Sequence, residues 1–217
     1  MTTPNCYRQN FIPIKYFLSS YRALSDGRFG IKQLKKLLED EDFLISEWKV
    51  VWIGTCATLR SAVELFRVDA QSCLSQNIRN ELKAEWEGIK ERAELHPIYW
   101  EFLKKERDNI IHEYKWSAYE AWLSPDGAIQ SPPTLLGRLV ASSDVSPSLL
   151  MKGGEYEGFD SVALLAQASE WIEERIFSSI RRAGFDPEEK RGVSNFEPIS
   201  RHQSDQLPLM GLLAKYK

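Results

Sequence analysis

One segment of the chain gathers side chains that are suited to acid–base and phosphate chemistry. Arg107 and Asp108 are followed, five positions after the arginine, by His112. An imidazole transfers protons near pH 7, and a guanidinium binds phosphate or stabilises negative charge that develops during a reaction. Asp108 lies four residues before His112, so on a helix it is placed to orient the imidazole. This segment is the chemically distinctive part of the sequence.

The segment is predicted to lie on a helix from Pro97 to about Trp122, after which residues 124–127 form a Ser-Pro-Asp-Gly turn. Proline suits the first turn of a helix because its missing N–H is not needed there. At about 100° per residue, Arg107 falls on the apolar stripe of this helix and Tyr114 returns to nearly the same face. Because an unpaired buried arginine is costly, we expect Arg107 to meet a carboxylate, a second subunit or a phosphate.

Further polar and aromatic side chains surround this motif. Trp116, one turn after His112, is the tryptophan best placed to stack on a base, and nearby lysines add positive charge. The candidate catalytic residues are therefore Arg107, Asp108 and His112. The candidate substrate-binding or regulatory residues are Asn109, Tyr114, Lys104, Lys115 and Trp116. No metal ligand is predicted.

The elements that must position the motif are predicted to be helices. Apolar periodicity indicates helices at residues 14–24, 31–38, 42–73, 76–94, 97–122 and 161–182. Asp26-Gly27 is interpreted as a stop after the first of them. Gly54 and Thr55 should allow a neighbouring helix to approach closely. The expected fold is all-α, an antiparallel bundle of about five or six helices with a long helix pair at its centre, and the helix at 42–73 is expected to be central.

The chain divides into three predicted parts around one core. Short helices at residues 1–40 pack on a bundle at 41–183, and an irregular tail occupies 184–217. Residues 123–160 are expected to be an irregular insertion in the bundle, with one extended candidate at Leu135–Val140. Within the tail, Leu207–Leu213 is apolar enough to dock on the body or on a partner.

Composition restricts the class of protein. The chain has 217 residues, of which 43% are hydrophobic and 27% charged, and this balance favours one globular domain. Its longest apolar stretch is far short of the roughly 20 residues that cross a bilayer, and no secretory signal is recognisable, so we expect a cytoplasmic protein. Three cysteines without metal-ligand spacing indicate reduced thiols. A net charge of −3 means that any nucleic-acid contact needs a local basic patch.

The motif resembles that of a known superfamily. Residues 107–112 fit the Arg-x4-His signature of the HEPN superfamily, named for higher eukaryotes and prokaryotes nucleotide-binding domains, and Tyr114 extends the match to the Arg-x4-His-x-Tyr type of HEPN ribonuclease toxins. The resemblance covers about residues 42 to 183. It implies metal-independent RNA cleavage at a composite site of a homodimer, without a cofactor.

The resemblance also implies a role for each matched residue. His112 would assist attack by the ribose 2′-OH, Arg107 would bind and stabilise the scissile phosphate, and Asp108 would orient the pair. Such chemistry needs proton transfer near pH 7 and positive charge at the phosphorus. Tyr114 would line the site, and a partner nucleotidyltransferase acting as antitoxin would block the site by attaching AMP there. A toxin or phage-defence effector is the implied biological role.

Each residue also has a structural interpretation. His112 can be a histidine of the solvent flank or the core that is simply paired with Asp108. Arg107 can form a structural ion pair with Glu64 or Glu85, and Tyr114 can be a packed aromatic of the apolar stripe.

Two other classes of function stay open as well. One is a catalytically silent HEPN-like bundle that binds a nucleotide, RNA or a protein partner, and a deeply buried Arg107 would favour it. The other is a helical interaction protein in which the motif is coincidental. A near-match at Arg92 and His96 has a spacing one residue too short, and Pro97 places His96 at a helix junction, so we interpret that pair as a decoy.

Overall fold

The structure, a computed structural model, describes residues 11–39, 44–130 and 146–192. Over these residues the chain is mainly helical. A π-helical segment at Ile98–Lys104 leads directly into the helix that carries the motif. The α-helices are α1 (Ser19–Leu38), α2 (Ile45–Glu64), α3 (Phe66–Ser72), α4 (Gln76–Glu91), α5 (Lys105–Glu113) and α6 (Ser161–Arg182).

Two small antiparallel sheets accompany the helices. In the first, two three-residue strands pair near the two ends of the described chain. In the second, a six-residue central strand lies between a short and a long neighbour. The strands are β1 (Phe11–Pro13) with β5 (Lys190–Gly192), and β2 (Ala118–Leu123) between β3 (Ile129–Gln130) and β4 (Ser146–Met151). The predicted all-α class therefore describes the helical body and omits the sheets.

The most extensive helix packing is between α1 and α2. A Cβ atom added at Gly27 would lie 2.4 Å from Leu59 Cδ2, and one added at Gly30 would lie 2.2 Å from Thr55 Oγ1. The two glycines thus let the helix backbones approach, so Gly27 does not end a helix, and the predicted helices at 14–24 and 31–38 belong largely to one continuous α1. The expected close approach at Thr55 is confirmed, whereas a Cβ at exposed Gly54 would meet nothing within 4 Å.

The core lies where α6 packs against α1, α2 and α4. The predicted bounds of α6 are confirmed, and its apolar stripe, which includes Ile172 and Ile176, is fully buried. Asp160 caps the helix by accepting a hydrogen bond from Ala163 N at 2.6 Å. On α2, Trp48 stacks on Trp52, one turn later in the same helix, and both side chains are fully buried. These two tryptophans therefore belong to the core and do not form an exposed stacking surface.

The motif helix is shorter than predicted. It ends at Glu113, because Tyr114 adopts a left-handed conformation (φ 51°, ψ 29°), and residues 118–123 form β2 instead of continuing the helix. β2 pairs along its whole length with β4, which supplies backbone partners that a helix would not need. The predicted helix 42–73 also divides at Leu65 into α2 and α3. The predicted helices at 42–73 and 97–122 are therefore both shorter in the structure than expected.

The predicted irregular regions contain regular structure where they are described. β3 and β4 lie in the 123–160 insertion. β5 lies near the beginning of the 184–217 tail. Leu135–Val140, Leu207–Leu213 and Cys6 lie outside the described residues. Cys56 and Cys73 are buried free thiols, and burial raises the pKa of both. None of the described helices is sufficiently long and apolar to traverse a bilayer.

Candidate functional site

A network of charged side chains joins α5 to α2 at the motif. The Asp108 carboxylate oxygen Oδ1 accepts hydrogen bonds from Arg60 Nη1 at 2.8 Å and from Arg107 Nη1 at 3.0 Å. Arg60 Nη2 also contacts Glu64 Oε1 at 2.9 Å, one turn along α2. Two guanidinium groups therefore lie on either side of a single carboxylate oxygen.

The members of this network differ in how far they reach the surface. The side chain of Arg60 is 13% exposed, whereas those of Arg107 and Asp108 are 32% and 35% exposed. Beneath them Tyr99 is buried, and that burial raises the pKa of its phenol, an effect that the nearby Arg60 opposes. Arg60 is thus the inner anchor, and Arg107 is the guanidinium that solvent can reach.

The electrostatics of Asp108 follow from this placement. Partial desolvation favours its neutral form, but the hydrogen bond from Arg107 and the positive charges of Arg60, Arg107 and His112 together hold the pKa of the carboxyl below its usual value. Asp108 is therefore ionised at neutral pH. It fixes the two guanidiniums relative to each other while leaving part of their hydrogen-bonding capacity unused.

His112 lies exposed on the last turn of α5, so it belongs to the solvent flank and not to the core. The pKa of the neighbouring Glu113 is lowered mainly by the hydrogen bond and charge of Lys115, and His112 is a minor contributor to the lowered pKa of both Glu113 and Asp108. The structure thus places His112 as an accessible imidazole and an electrostatic neighbour of Asp108.

Tyr114 is not the packed aromatic that the apolar stripe suggested. Its side chain is 72% exposed, because the left-handed backbone directs the chain away from the axis of α5. Lys49 of α2 places its Nζ atom 4.4 Å from the Tyr114 ring centroid and 5.3 Å from that of Trp116. Trp116 itself is half-buried against Trp48, with ring centroids 5.8 Å apart. Tyr114 is accessible, and Trp116 is partly a core residue.

The other predicted binding residues have partners apart from the arginine network. Lys104 Nζ lies 4.4 Å from the Trp100 ring centroid. Lys115 Nζ contacts Glu113 Oε2 at 2.6 Å on the surface, and Asn109 Nδ2 donates to Ser117 Oγ at 3.4 Å. Arg107 and Asp108 thus form the network, His112 is its electrostatic neighbour, and the lysines and the asparagine are not part of it.

Glu106 secures the segment that follows the motif. Its carboxylate is 2% exposed, and Oε1 accepts hydrogen bonds from Trp52 Nε1 and from Ser117 N, each at 3.0 Å. It also borders a cavity of about 250 Å³ whose wall includes Asn109 and Lys152. Glu106 therefore ties α2 to the chain between α5 and β2, and so holds the end of α5 in place.

Two functional candidates were not predicted from the sequence. Arg60 was missed because it sits on α2, 47 positions before Arg107 in the sequence, and only the folded chain brings its guanidinium to Asp108. The available signal was an arginine four residues before Glu64 on an otherwise apolar helix. Glu106 was missed because no local spacing connects its carboxylate with Trp52, which lies 54 positions earlier on α2. The predicted alternatives, in which Arg107 pairs with Glu64 or Glu85, are wrong, since its partner is Asp108.

The site presents fixed positive charge beside an exposed imidazole. Across the part of the chain that the structure describes, no three His, Cys, Asp or Glu side chains are grouped so as to hold a metal ion. The chain matches no protein-family model, no curated protein and no solved structure. The geometry of these side chains is consequently what supports a function.

Proposed function

We propose that the protein is a metal-independent endoribonuclease of the HEPN type, acting at the site formed by Arg107, Asp108 and His112. The observation that carries the proposal is the shared carboxylate: Asp108 holds Arg60 and Arg107 together next to an exposed histidine. Two guanidiniums in fixed positions suit the oxygens of a phosphodiester, because the planar fork of arginine matches phosphate geometry.

The proposed reaction is transesterification within the RNA backbone. His112 takes the proton of a ribose 2′-OH, the 2′ oxygen forms a bond to phosphorus, and the bond from phosphorus to the 5′ oxygen breaks. A second imidazolium or water donates a proton to the departing 5′ oxygen, which leaves a 2′,3′-cyclic phosphate. Arg107 stabilises the negative charge on the phosphorus oxygens, and Asp108 with Arg60 keeps Arg107 oriented.

The need for both an acid and a base supports a composite site in a homodimer. The motif of one chain supplies a single histidine, and a second copy would supply the other. Exposed apolar side chains lie near the motif: Tyr114 is 72% exposed beside Lys49, and Val50, adjacent on α2, is 70% exposed. Such side chains suit burial against a partner. We therefore propose that the two motif helices meet at this surface.

The accessible phenol of Tyr114 also supports the proposed regulation. A nucleotidyltransferase partner acting as an antitoxin could reach its hydroxyl, and an attached adenylyl group would add bulk and negative charge beside His112. The proposed role as a toxin or phage-defence effector rests on the resemblance of residues 107–114 to the motif of HEPN ribonuclease toxins. The binding-module alternative would be favoured by a deeply buried Arg107, and Arg107 is instead 32% exposed.

The test is RNA cleavage by the purified full chain in the presence of EDTA, with analysis of the product ends. We expect products ending in 2′,3′-cyclic phosphate, and we expect His112→Ala and Arg107→Gln each to lower the rate by about a hundredfold or more. Arg67→Gln, which removes an exposed arginine of α3, is the matched control and should cleave like the wild type.

Two results would contradict the proposal. Cleavage that persists unchanged in His112→Ala would show that another nuclease or another site is responsible. An absence of cleavage by a wild-type chain that is dimeric in light scattering, at twice the 25.0 kDa chain mass, would favour the silent binding module. Incubation with a partner nucleotidyltransferase and ATP should transfer one adenylyl group from ATP to the Tyr114 oxygen of the wild type, with release of pyrophosphate, and should add none to Tyr114→Phe.

A further inference from the structure

A second polar cavity lies between α4, the turn that follows α4, and α6. Its volume is about 290 Å³. This is roughly ten times the ~30 Å³ that one water molecule occupies in the liquid, enough for a phosphate group and a sugar-sized attachment. The residues that give the wall its character are Glu85, Gly88, Arg92, His96, Arg175 and Arg182. It shares no lining residue with the motif.

The wall carries more positive than negative charge. Glu85, whose side chain is 10% exposed, contacts Arg182 Nη2 at 2.6 Å and Arg175 Nη1 at 3.4 Å. Arg182 is further held by Glu81 at 2.8 Å. Arg92 extends over Gly88, with Nη2 3.1 Å from the position a Cβ atom would take there. Three guanidiniums thus face one carboxylate in the wall, and the two at Arg175 and Arg92 are the least neutralised.

Buried nitrogen atoms in the same wall lack partners. His96 is 8% exposed, and its Nδ1 atom is buried with no hydrogen-bond partner among the residues that the structure describes. The same holds for Nε of Arg175. Buried polar groups are nearly always hydrogen-bonded in folded proteins, so these two nitrogens beside one cavity are available to a polar ligand that enters it. The ring of His96 packs edge-on against Trp171, with centroids 5.6 Å apart, which fixes its orientation.

The charge on His96 is consistent with this environment. Desolvation and the positive charge of Arg175 lower the pKa of the imidazole, so the ring is neutral at pH 7. A neutral imidazole still carries one N–H donor. A bound anion would accept from that donor and from the guanidiniums at once. The Arg175–Glu85 contact at 3.4 Å is long, so Arg175 can turn to the anion at little loss.

We propose that this cavity is a binding site for the phosphate group of a small ligand, with Arg92 and Arg175 binding the phosphate oxygens and His96 donating a hydrogen bond to them. Gly88 leaves the space in which Arg92 lies, and Glu85 with Glu81 holds Arg182 in position. The phosphate belongs to a free phosphate ion or to a nucleotide. This inference does not depend on the ribonuclease proposal.

The test is calorimetric titration of the full chain with inorganic phosphate, AMP and adenosine at constant ionic strength. We expect phosphate or AMP to bind with a Kd in the millimolar range or tighter, and adenosine to bind far more weakly. Arg92→Gln and His96→Gln should each weaken binding by about tenfold. Lys83→Gln removes one positive charge from the exposed side of the same helix and should leave the Kd unchanged.

The outcomes separate the sources of the phosphate and the two proposals. Tighter binding of AMP than of phosphate supports a nucleotide, and equal binding supports free phosphate. His112→Ala should keep the wild-type Kd, so a loss of RNA cleavage in that variant does not affect this site. Binding of adenosine as tightly as AMP, no binding of either phosphate at millimolar concentration, or an unchanged Kd in Arg92→Gln would overturn the assignment.

Discussion

Replacing Glu106 tests whether a buried carboxylate holds the end of the motif helix. In Glu106→Ala, the indole N–H of Trp52 loses its acceptor in a fully buried position, and a buried unsatisfied donor costs about 1–3 kcal/mol. The backbone N–H of half-buried Ser117 also loses its acceptor, at about 0.5–1.5 kcal/mol because water can partly replace it. The free energy of unfolding should therefore fall by about 2–4 kcal/mol.

Two further variants separate this explanation from a general effect of charge. Glu106→Gln keeps a carbonyl oxygen that can accept both hydrogen bonds, so we expect it to lose only about 1 kcal/mol. Glu101→Ala, which removes an exposed carboxylate one turn earlier in the chain, should change stability by no more than about 0.5 kcal/mol.

The assay is urea unfolding followed by tryptophan fluorescence, supported by thermal melts. For a domain of this size, a loss of 2–4 kcal/mol corresponds to a fall in Tm of roughly 4–16 °C. The reasoning would be refuted if Glu106→Gln lost as much stability as Glu106→Ala, because then the hydrogen bonds could not be the cause. A loss below about 0.5 kcal/mol in Glu106→Ala would refute it too.

Two further predictions concern helix packing and the charge network. Gly27→Ala should destabilise the protein by about 1–3 kcal/mol, because its Cβ would overlap buried Leu59. Gly54→Ala, on the exposed surface of α2, should stabilise the protein by about 0.5–1 kcal/mol. Urea unfolding measures the sign of both changes in the free energy of unfolding. Because the pKa of Asp108 in the folded protein lies below its reference value of 3.8, the wild type should be more stable than Asp108→Asn at pH 6. This difference in the free energy of unfolding should disappear as pH falls below 3.8 through the folded pKa. Equal differences at pH 6 and pH 2.5 would contradict the prediction.

Local signals predicted some elements well. The bounds of α6 followed from its apolar periodicity alone, and the structure adds that Asp160 caps its first turn. Other features were set by residues distant in sequence. β2 forms because β4 pairs with it, from Ala118 opposite Met151 to Leu123 opposite Ser146, and no pattern within residues 97–122 reveals that partner.

The glycines of α1 show the same limit. A glycine after an aspartate is a common helix stop, yet Gly27 sits in mid-helix because α2 passes too close for a side chain. The start of α1 is similarly capped from afar, since the carboxylate of Asp69 accepts the backbone N–H groups of Ser19 and Ser20 at 2.8 Å each. A helix cap is normally supplied by a residue just before the helix, and this capping carboxylate lies on α3, 50 positions later in the sequence.

The candidate site divides in the same way. The spacing of Arg107, Asp108 and His112 is local, so the prediction that they share a helix is confirmed. Arg60 belongs to the network through tertiary packing alone, and the sequence offered no spacing that would connect it with Asp108. Lys104 and Lys115 are near the motif in sequence, but they contact Trp100 and Glu113 and not the arginine network.

Among the described residues, Tyr114 is the non-glycine residue with a positive φ, a conformation that is unfavourable for a tyrosine. A side chain in the left-handed region costs about 1–2 kcal/mol relative to glycine, which is the usual residue at such a helix end. The contact with Lys49 returns about 0.5–1 kcal/mol at an exposed position, which is less than the strain. Since 72% of the side chain is exposed, core packing does not supply the rest. Backbone hydrogen bonds from Tyr114 N to Ile110 O at 3.1 Å and from Lys115 N to Asn109 O at 3.2 Å close the helix end and offset the remaining strain. The same conformation leaves the phenol exposed, as the proposed contact with a second copy of the motif helix or with a modifying enzyme requires.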